Sequence, residues 1–460
     1  MKKILSVILA LLLILSLSLP AFATEPAETE DKEAPKTEKD PIYDLALDSQ
    51  GVYVFNPETG TAIYEKAADS RMYPASTTKI MTALVVLEMC EDPRNTTITV
   101  DNMQMYNYII ADGGVHAGLV KGETFTVYDL LVGMMLASYC DVPDLLAKHF
   151  GGGDISVFIA KMNERVEQMG LTNTHFENAH GLHNKNHYSS PKDMAMILWE
   201  ALQNETFREI ISLRTYTIPA STRDRGDRTV NVSVSSYFEK SDYYLDAYVG
   251  GKSGYTDQAG RCLATYSETD EISFVSVLFG ANMDYSRYYP GKMSEIETHT
   301  LISYALEHFE VRTVLEKGKK VGEIPVTDSE TKLSVVAGED IRVLTRKDAE
   351  PTFDFQIPEE ISVKDVKNEK EIGKAILSFN GEATESPYPL LLEWDGAPIV
   401  TKSAVEKGAE TAGKAISGIF REDRAFVILV ISLLVVVAIC IPAIRITRIL
   451  HRRKSHRPKH

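Results

Sequence analysis

The chain has 460 residues, of which 44% are hydrophobic and 25% charged, so it is long enough for two folded domains and too apolar to be disordered throughout. Its formal net charge is −16, and subtracting the nine cations of the two termini (Lys2, Lys3 and seven at 445–460) leaves −25 for the remainder. Such an acidic body argues against nucleic acid as a partner.

The N-terminus has the pattern of a secretory signal. Two lysines precede an apolar run over 4–19, and Ala21-Phe22-Ala23 fits the small-x-small cleavage pattern. A signal peptide over 1–23 is therefore favoured over an uncleaved membrane anchor, because the cleavage site is well placed. Residues 24–41 are rich in Glu, Lys, Pro and Thr, which predicts a disordered acidic linker.

The next segment predicts helices inside a frame of antiparallel strands. The strand signals are a hairpin over 52–64, a strand through Lys252, and strands at 262–266 and 272–279. The helix signals lie behind Ser76, over 127–137 with Thr126 and Asp129 as a capping box, from Asp141 onward, and over 294–309. The prediction is an α+β domain over 42–312.

The C-terminal third has a different sequence pattern. Over 313–400, short strand-like runs alternate with polar turns and predict a small all-β domain, and 401–424 predicts a partly helical stalk. Residues 425–444 are apolar and uncharged, which fits a transmembrane helix in contact with membrane lipid. The basic residues of 445–460 predict a cytoplasmic tail, so we expect a single-pass cell-membrane protein whose main body is extracellular.

Two short motifs carry candidate chemistry. In Ser76-Thr77-Thr78-Lys79, helical spacing places Lys79 beside the Ser76 hydroxyl, and a buried lysine of lowered pKa is a base that activates serine. In Lys252-Ser253-Gly254, a strand supplies a cation, a hydroxyl and a position without a side chain, which suits an extended substrate with a carboxylate. Each motif alone is weak, since a capped helix and an ordinary turn explain them equally well.

A third motif, Ser138-Tyr139-Cys140, lies between two predicted helices. With the other two it resembles the S-x-x-K, S-x-N and K-T-G set of serine penicillin-binding proteins and β-lactamases. The closer resemblance is to low-molecular-weight penicillin-binding proteins, the serine-type D-alanyl-D-alanine carboxypeptidases of peptidase family S11. It covers 42–400, and it rests on Tyr73-Pro74-Ala75-Ser76-Thr77-Thr78-Lys79, Asn178-Ala179-His180-Gly181-Leu182, Tyr188-Ser189-Ser190, Asp193-Met194-Ala195, Gly251-Lys252-Ser253-Gly254-Tyr255-Thr256 and Ala259-Gly260.

The resemblance implies a penicillin-binding/β-lactamase-like transpeptidase fold in the first domain and a set of site roles. Ser76 would attack the carbonyl between the two terminal D-alanines of a peptidoglycan stem pentapeptide, Lys79 would be the general base and Ser138 a proton relay. Backbone N–H groups would form an oxyanion hole, worth about 3 kcal/mol per donor. Substrate-binding roles are implied for Lys252, Ser253, Gly254, Tyr255, Cys140 and Arg287. The resemblance implies β-lactam antibiotics as covalent inhibitors, and neither a cofactor nor a metal.

Cys140 stands where the family has asparagine. A thiol is a poorer hydrogen-bond partner than an amide, and losing one bond to the substrate costs on the order of 1–3 kcal/mol. The sequence therefore also admits a catalytically weakened protein that binds wall peptides. A role of Cys140 as nucleophile or redox sensor is less favoured, because Ser76 and Lys79 already account for a nucleophile.

Three further alternatives stay open at this stage. A β-lactamase needs a glutamate for deacylation, and only Glu164 or Glu167 is placed for that role, in an unconvincing pattern. The spacing of His180, His183 and His187 is compatible with a metal site. Four cysteines occur, Cys440 within the predicted span, and the sequence does not say whether two of Cys90, Cys140 and Cys262 pair.

Overall fold

The computed structural model describes residues 40–101, 109, 113–221, 226–282, 292–379, 382–383, 387–422 and 431–434. It divides the chain into two units, of which the first ends at Leu47 and contains a short 3-10 helix, Pro41–Asp44. The second unit begins at Asp48 and carries all elements described below. The predicted signal peptide and most of the predicted membrane span lie outside the described residues. Within them, no helix combines the length and the apolar character that crossing a bilayer requires.

The strands are, in chain order, β1 Gly51–Phe55, β2 Ala62–Lys66, β3 Thr97–Thr99, β4 Thr124–Thr126, β5 Thr215–Ile218, β6 Arg228–Asn231, β7 Tyr248–Thr256, β8 Gly260–Glu268, β9 Ser273–Ala281, β10 Phe309–Leu315, β11 Lys320–Pro325, β12 Lys332–Ala337, β13 Ile341–Arg346, β14 Pro351–Gln356, β15 Glu371–Phe379, β16 Glu382–Ala383 and β17 Tyr388–Glu393. The helices are α1 Lys79–Met89, α2 Val127–Leu136, α3 Asp141–Phe150, α4 Ile155–Gln168, α5 Pro191–Ala201, α6 Glu205–Ser212, α7 Met293–His308 and α8 Lys402–Glu422. The helices and strands predicted within the two folded domains are confirmed, with ends that differ by a few residues.

A five-stranded antiparallel sheet in the order β2-β1-β9-β8-β7 organises the first domain. The central strands β8 and β9 are buried at almost every position, so both faces of the sheet are covered. Helices α5 and α7 both pack on these strands, and α1 packs in turn against α5. This arrangement is the predicted α+β domain.

The β-rich part begins at Phe309, where α7 leads directly into β10. Strand β10 pairs with β13, and a second sheet runs β11-β12-β17-β15-β14. Its core is aliphatic and includes Val335, Leu390 and Leu392, each fully buried. The all-β domain predicted from the sequence is confirmed, and its first strand starts before the predicted boundary at residue 312. The stalk contains the long helix α8.

Strand β7 is the edge strand of the first sheet, and a short 3-10 turn over Ala75–Thr78 packs beside it. Gly254 permits this approach, because a Cβ there would lie 2.8 Å from the Ser76 backbone nitrogen. Gly181 approaches the same turn from a loop, and a Cβ there would lie 1.9 Å from the Ala75 carbonyl oxygen. Two glycines therefore set the position of the turn against its surroundings.

Replacing Gly181 by alanine tests this packing. Gly181 has φ +83°, so the variant meets both backbone strain and a steric clash, and we expect a loss of stability of roughly 2–4 kcal/mol. Gly170→Ala is the matched control, because Gly170 has φ +70° with no atom within 4 Å of the added Cβ, and it should lose only about 1–2 kcal/mol. Urea unfolding of both variants gives the comparison, and equal losses would contradict the packing argument.

Candidate active site

The turn that carries Ser76 is strained and braced. Ala75 has φ +48°, a left-handed conformation that costs a non-glycine residue about 1–2 kcal/mol. The Thr77 hydroxyl donates to Pro74 O at 2.7 Å, and the Thr78 hydroxyl donates to Ala75 O at 2.8 Å. Both threonines of the S-T-T-K motif therefore hold the backbone that presents the Ser76 hydroxyl.

His187 extends this brace. Its Nδ1 accepts from the Glu177 N–H at 3.1 Å, so in the neutral ring Nε2 carries the proton, and Nε2 lies 2.7 Å from the Thr78 hydroxyl oxygen. Burial lowers the pKa of His187 to about 3, so the ring stays neutral at physiological pH. The chain of bonds from His187 through Thr78 to the Ala75 carbonyl was not predicted from the sequence.

The three histidines of the metal alternative have separate partners. His180 Nδ1 accepts from the Leu182 N–H at 3.0 Å, His187 binds Thr78, and the exposed His183 ring packs edge-on against Tyr73. No group of three or more His, Cys, Asp or Glu side chains within the described ranges is arranged to hold a metal ion.

Lys79 is fully buried, and its side-chain nitrogen has three close neighbours. Nζ lies 2.8 Å from Ser76 Oγ, 2.7 Å from the His180 carbonyl oxygen and 3.4 Å from Cys140 Sγ. A carbonyl only accepts, so it takes one N–H of a neutral amine, and the thiol sulfur is a weak acceptor for the second. The remaining lone pair is then available to the Ser76 hydroxyl proton, which is the geometry of a general base.

The protonation state of Lys79 follows from its burial. Burial lowers the pKa of Lys79, because the charged form loses its hydration, and the Cys140 thiol and the carboxylates of Asp144 and Asp141 oppose this shift without cancelling it. The neutral amine is therefore more populated at neutral pH than in an ordinary lysine. The serine and lysine predicted from the sequence are brought together as expected.

A second buried lysine stands on β7. Lys252 Nζ donates to Ser138 Oγ at 2.9 Å and to the Ser253 carbonyl at 2.7 Å. Burial, and next the charge of Lys79, hold the pKa of Lys252 well below its usual range. Ser138 has φ +59°, another strained residue, and it lies just before the helix α3. The fold thus brings Ser138 and Lys252, which are far apart in sequence, into hydrogen-bonding contact.

Cys140 lies between these two pairs. Its buried thiol is 3.4 Å from Lys79 Nζ and 3.6 Å from the Ser138 carbonyl oxygen. Because Lys79 is closer to Ser76 Oγ, the geometry favours serine over cysteine as the nucleophile. The described cysteines, Cys90, Cys140 and Cys262, are all free and buried, and burial raises the pKa of the Cys262 thiol to about 12.

The two serines and Cys140 border a cleft of about 690 Å³, whereas the buried Lys79 and Lys252 are not among its lining residues. The predicted residues that line it are Ser76, Ser138, Cys140, Ser253, Gly254 and Tyr255. Ser233 lines it too and was missed, since nothing in its local sequence distinguishes it; its hydroxyl lies 2.9 Å from Ser253 Oγ. Arg287 lies outside the described residues.

The glutamates of the β-lactamase alternative are not placed for its chemistry. Glu164 and Glu167 are both exposed on α4. Among the described residues that line the cleft there is no glutamate. A glutamate that activates water for deacylation must lie within reach of the acyl group, so neither residue fits that role.

Curated relatives match long stretches of this chain. The chain is similar to D-alanyl-D-alanine carboxypeptidase DacF of Bacillus subtilis, at 26% identity over 87% of this chain and 97% of the relative. It is also similar to a D-alanyl-D-alanine carboxypeptidase of Streptomyces sp. strain K15, at 36% identity over 46% of this chain and 74% of the relative. In fold it resembles penicillin-binding protein 5 of Haemophilus influenzae, with a TM-score of 0.60, 24% identity, and coverage of 76% of this chain and 97% of that one.

One solved relative bears on Cys140. The Streptomyces K15 DD-transpeptidase matches at 28% identity and a TM-score of 0.52, covering 57% of this chain and 99% of that chain. Its solved variants replace, one at a time, a serine and a cysteine two positions later by alanine. The same two-residue spacing separates Ser138 from Cys140 in this chain.

Two family models account for most of the described chain. The model described as D-alanyl-D-alanine carboxypeptidase matches residues 35–283, which is more than half of the chain. The model described as the penicillin-binding protein 5 C-terminal domain matches residues 309–407 and so spans the β-rich domain. The chain belongs to the S11 family of D-alanyl-D-alanine carboxypeptidases, the low-molecular-weight penicillin-binding proteins.

Proposed function

We propose that this protein removes the terminal D-alanine from peptidoglycan stem pentapeptides through an acyl-enzyme on Ser76. The observation that carries the proposal is the contact of 2.8 Å between the buried Lys79 amine and Ser76 Oγ, which lines the cleft. The named activity of the curated relatives supports the same reaction. The chemistry is complete without a cofactor, because the nucleophile and its base are both side chains of the chain.

The proposed steps combine the Ser76–Lys79 and Ser138–Lys252 contacts with the roles that membership of the family implies. Lys79 takes the hydroxyl proton of Ser76 as the oxygen attacks the carbonyl between the two D-alanines. The backbone N–H groups of Ser76 and Tyr255 stabilise the oxyanion. The proton passes to the departing D-alanine amine by way of Ser138, and water then hydrolyses the ester. Lys252 donates to Ser138, so the relay serine is held beside the Lys252 amine.

The terminal carboxylate of the substrate is assigned to Lys252, Ser253 and Ser233. The hydroxyls of Ser233 and Ser253 lie 2.9 Å apart and supply neutral donors, while Lys252 supplies charge. A β-lactam carries a carboxylate near a strained amide, so the same groups would hold it while Ser76 is acylated. A protein that binds wall peptides without turnover is not favoured, because Ser76 and Lys79 are within hydrogen-bonding distance.

A second candidate activity is transfer of the acyl group to an amine. The name DD-transpeptidase for the solved Streptomyces K15 relative supports it, and that relative shares with this chain a cysteine two positions after a serine. The same acyl-enzyme serves both reactions, and only the acceptor differs. Addition of an amine such as glycine to the assay below distinguishes them, since transfer yields a new peptide while hydrolysis yields the free acid.

We also propose that the protein is exported and held in the cell membrane by 425–444, with the active site on the cell-wall side. The support is the signal-like pattern at 1–23, the uncharged apolar run, and the basic residues after it. Deletion of 425–460 should release the protein from the membrane fraction, whereas deletion of 445–460 alone should not. Retention of the chain without 425–460 in the membrane fraction would contradict the anchor.

The reaction is tested by release of D-alanine from a stem-pentapeptide analogue, measured with the protein spanning residues 24–424. Ser76→Ala should lower the rate by at least about a thousandfold, because the covalent route is lost. Ser156→Ala is the matched control, since Ser156 is exposed at the start of α4 and should keep full activity. Equal rates for the Ser76 variant and the parent would overturn the proposal.

A further inference from the structure

The direction of the substrate in the cleft follows from the proposed function, on which this inference rests. The terminal carboxylate lies at Lys252 and Ser253, and the scissile carbonyl lies at the Tyr255 N–H. A peptide traced from its C-terminus backward therefore runs along β7 in the direction of that strand, antiparallel to it. The residue before the two D-alanines then reaches the turn that joins β7 to β8.

At this turn and the start of β8, an acidic and a basic side chain both contact the side chain of Tyr255. The Tyr255 hydroxyl donates to Asp257 Oδ1 at 2.8 Å, and the Arg261 guanidinium lies over the Tyr255 ring, 4.7 Å from its centre. Tyr255 and Arg261 are direct cross-strand partners, which explains why their side chains share a face. All three residues line the cleft.

Few ionisable side chains line the cleft near this turn. Among the described residues that line the cleft, only His183, Asp257 and Arg261 carry ionisable groups outside the catalytic set of Ser76, Ser138, Cys140 and the residues of β7. His183 belongs to a different loop and packs against Tyr73. A carboxylate and a guanidinium held on one ring are complementary to a ligand that carries an ammonium and a carboxylate side by side.

We infer that Asp257 and Arg261 form a subsite for the side chain of the third stem-peptide residue, and that this residue is a diamino dicarboxylic acid such as diaminopimelate. Its side chain ends in an ammonium, which binds Asp257, and a carboxylate, which binds Arg261. A lysine at the same position offers only the ammonium. The subsite therefore selects the dicarboxylic acid over lysine and over its side-chain carboxamide.

Peptides of the form acyl-X-D-Ala-D-Ala test the subsite, with X as diaminopimelate, its side-chain carboxamide or lysine. The wild-type protein should favour diaminopimelate over the carboxamide about tenfold in kcat/KM, the value of one charge-assisted hydrogen bond. Arg261→Met keeps an apolar contact with Tyr255 and should reduce this ratio to near one. The ratio is the readout, so a general loss of activity does not affect it.

Arg208→Met is the matched control, because the Arg208 guanidinium lies over the Tyr266 ring at 5.2 Å outside the cleft, and its ratio should stay at the wild-type value. Kd values of the three peptides for the Ser76→Ala variant give the same selectivity without turnover. An equal preference for diaminopimelate and its carboxamide, or a ratio that survives Arg261→Met, would overturn the subsite. Absence of D-alanine release from every peptide, with the selectivity in Kd intact, would overturn the proposed reaction instead.

Discussion

Two lysines buried in one site compete for positive charge, because burial and the charge of Lys79 both disfavour the cation on Lys252. Lys79 and Lys252 are each almost completely removed from solvent, and burial lowers the pKa of both. The proposed substrate resolves this conflict, because its carboxylate favours the cation on Lys252. That cation in turn favours the neutral form of Lys79, which is the form that accepts a proton from Ser76. Binding and activation of the nucleophile are thereby coupled through charge.

The rest of the fold holds these lysines in contact with their serines. Ala75 and Ser138 both adopt left-handed backbone conformations, so the residues beside the nucleophile and at the relay carry strain. Thr78, which is hydrogen-bonded to His187, donates to the Ala75 carbonyl and so supports the strained conformation of Ala75. Lys252 lies on β7, the edge strand of the first sheet. One side of this strand is therefore open toward the cleft.

The sequence predicted much of this arrangement, and the reasons are local. The helix behind Ser76 and the strand through Lys252 have strong periodic patterns, and the spacing of Ser76 and Lys79 alone places them on one helical face. The bracing by His187, the Ser233 hydroxyl and the opposed charges of Asp257 and Arg261 depend on contacts between distant segments or across a turn. No pattern in a single sequence reports such contacts, so they emerged only from the structure.

The central claim, that Lys79 acts as a neutral base for Ser76, is tested most directly by the pH dependence of the acylation of Ser76 by a β-lactam. A base with a lowered pKa loses its proton as pH rises, so the second-order rate constant should increase through a midpoint below the ordinary lysine value of about 10.4. Lys79→Met should abolish that rise together with most of the rate. A midpoint near 10.4, or an unchanged profile in the Lys79 variant, would contradict the account.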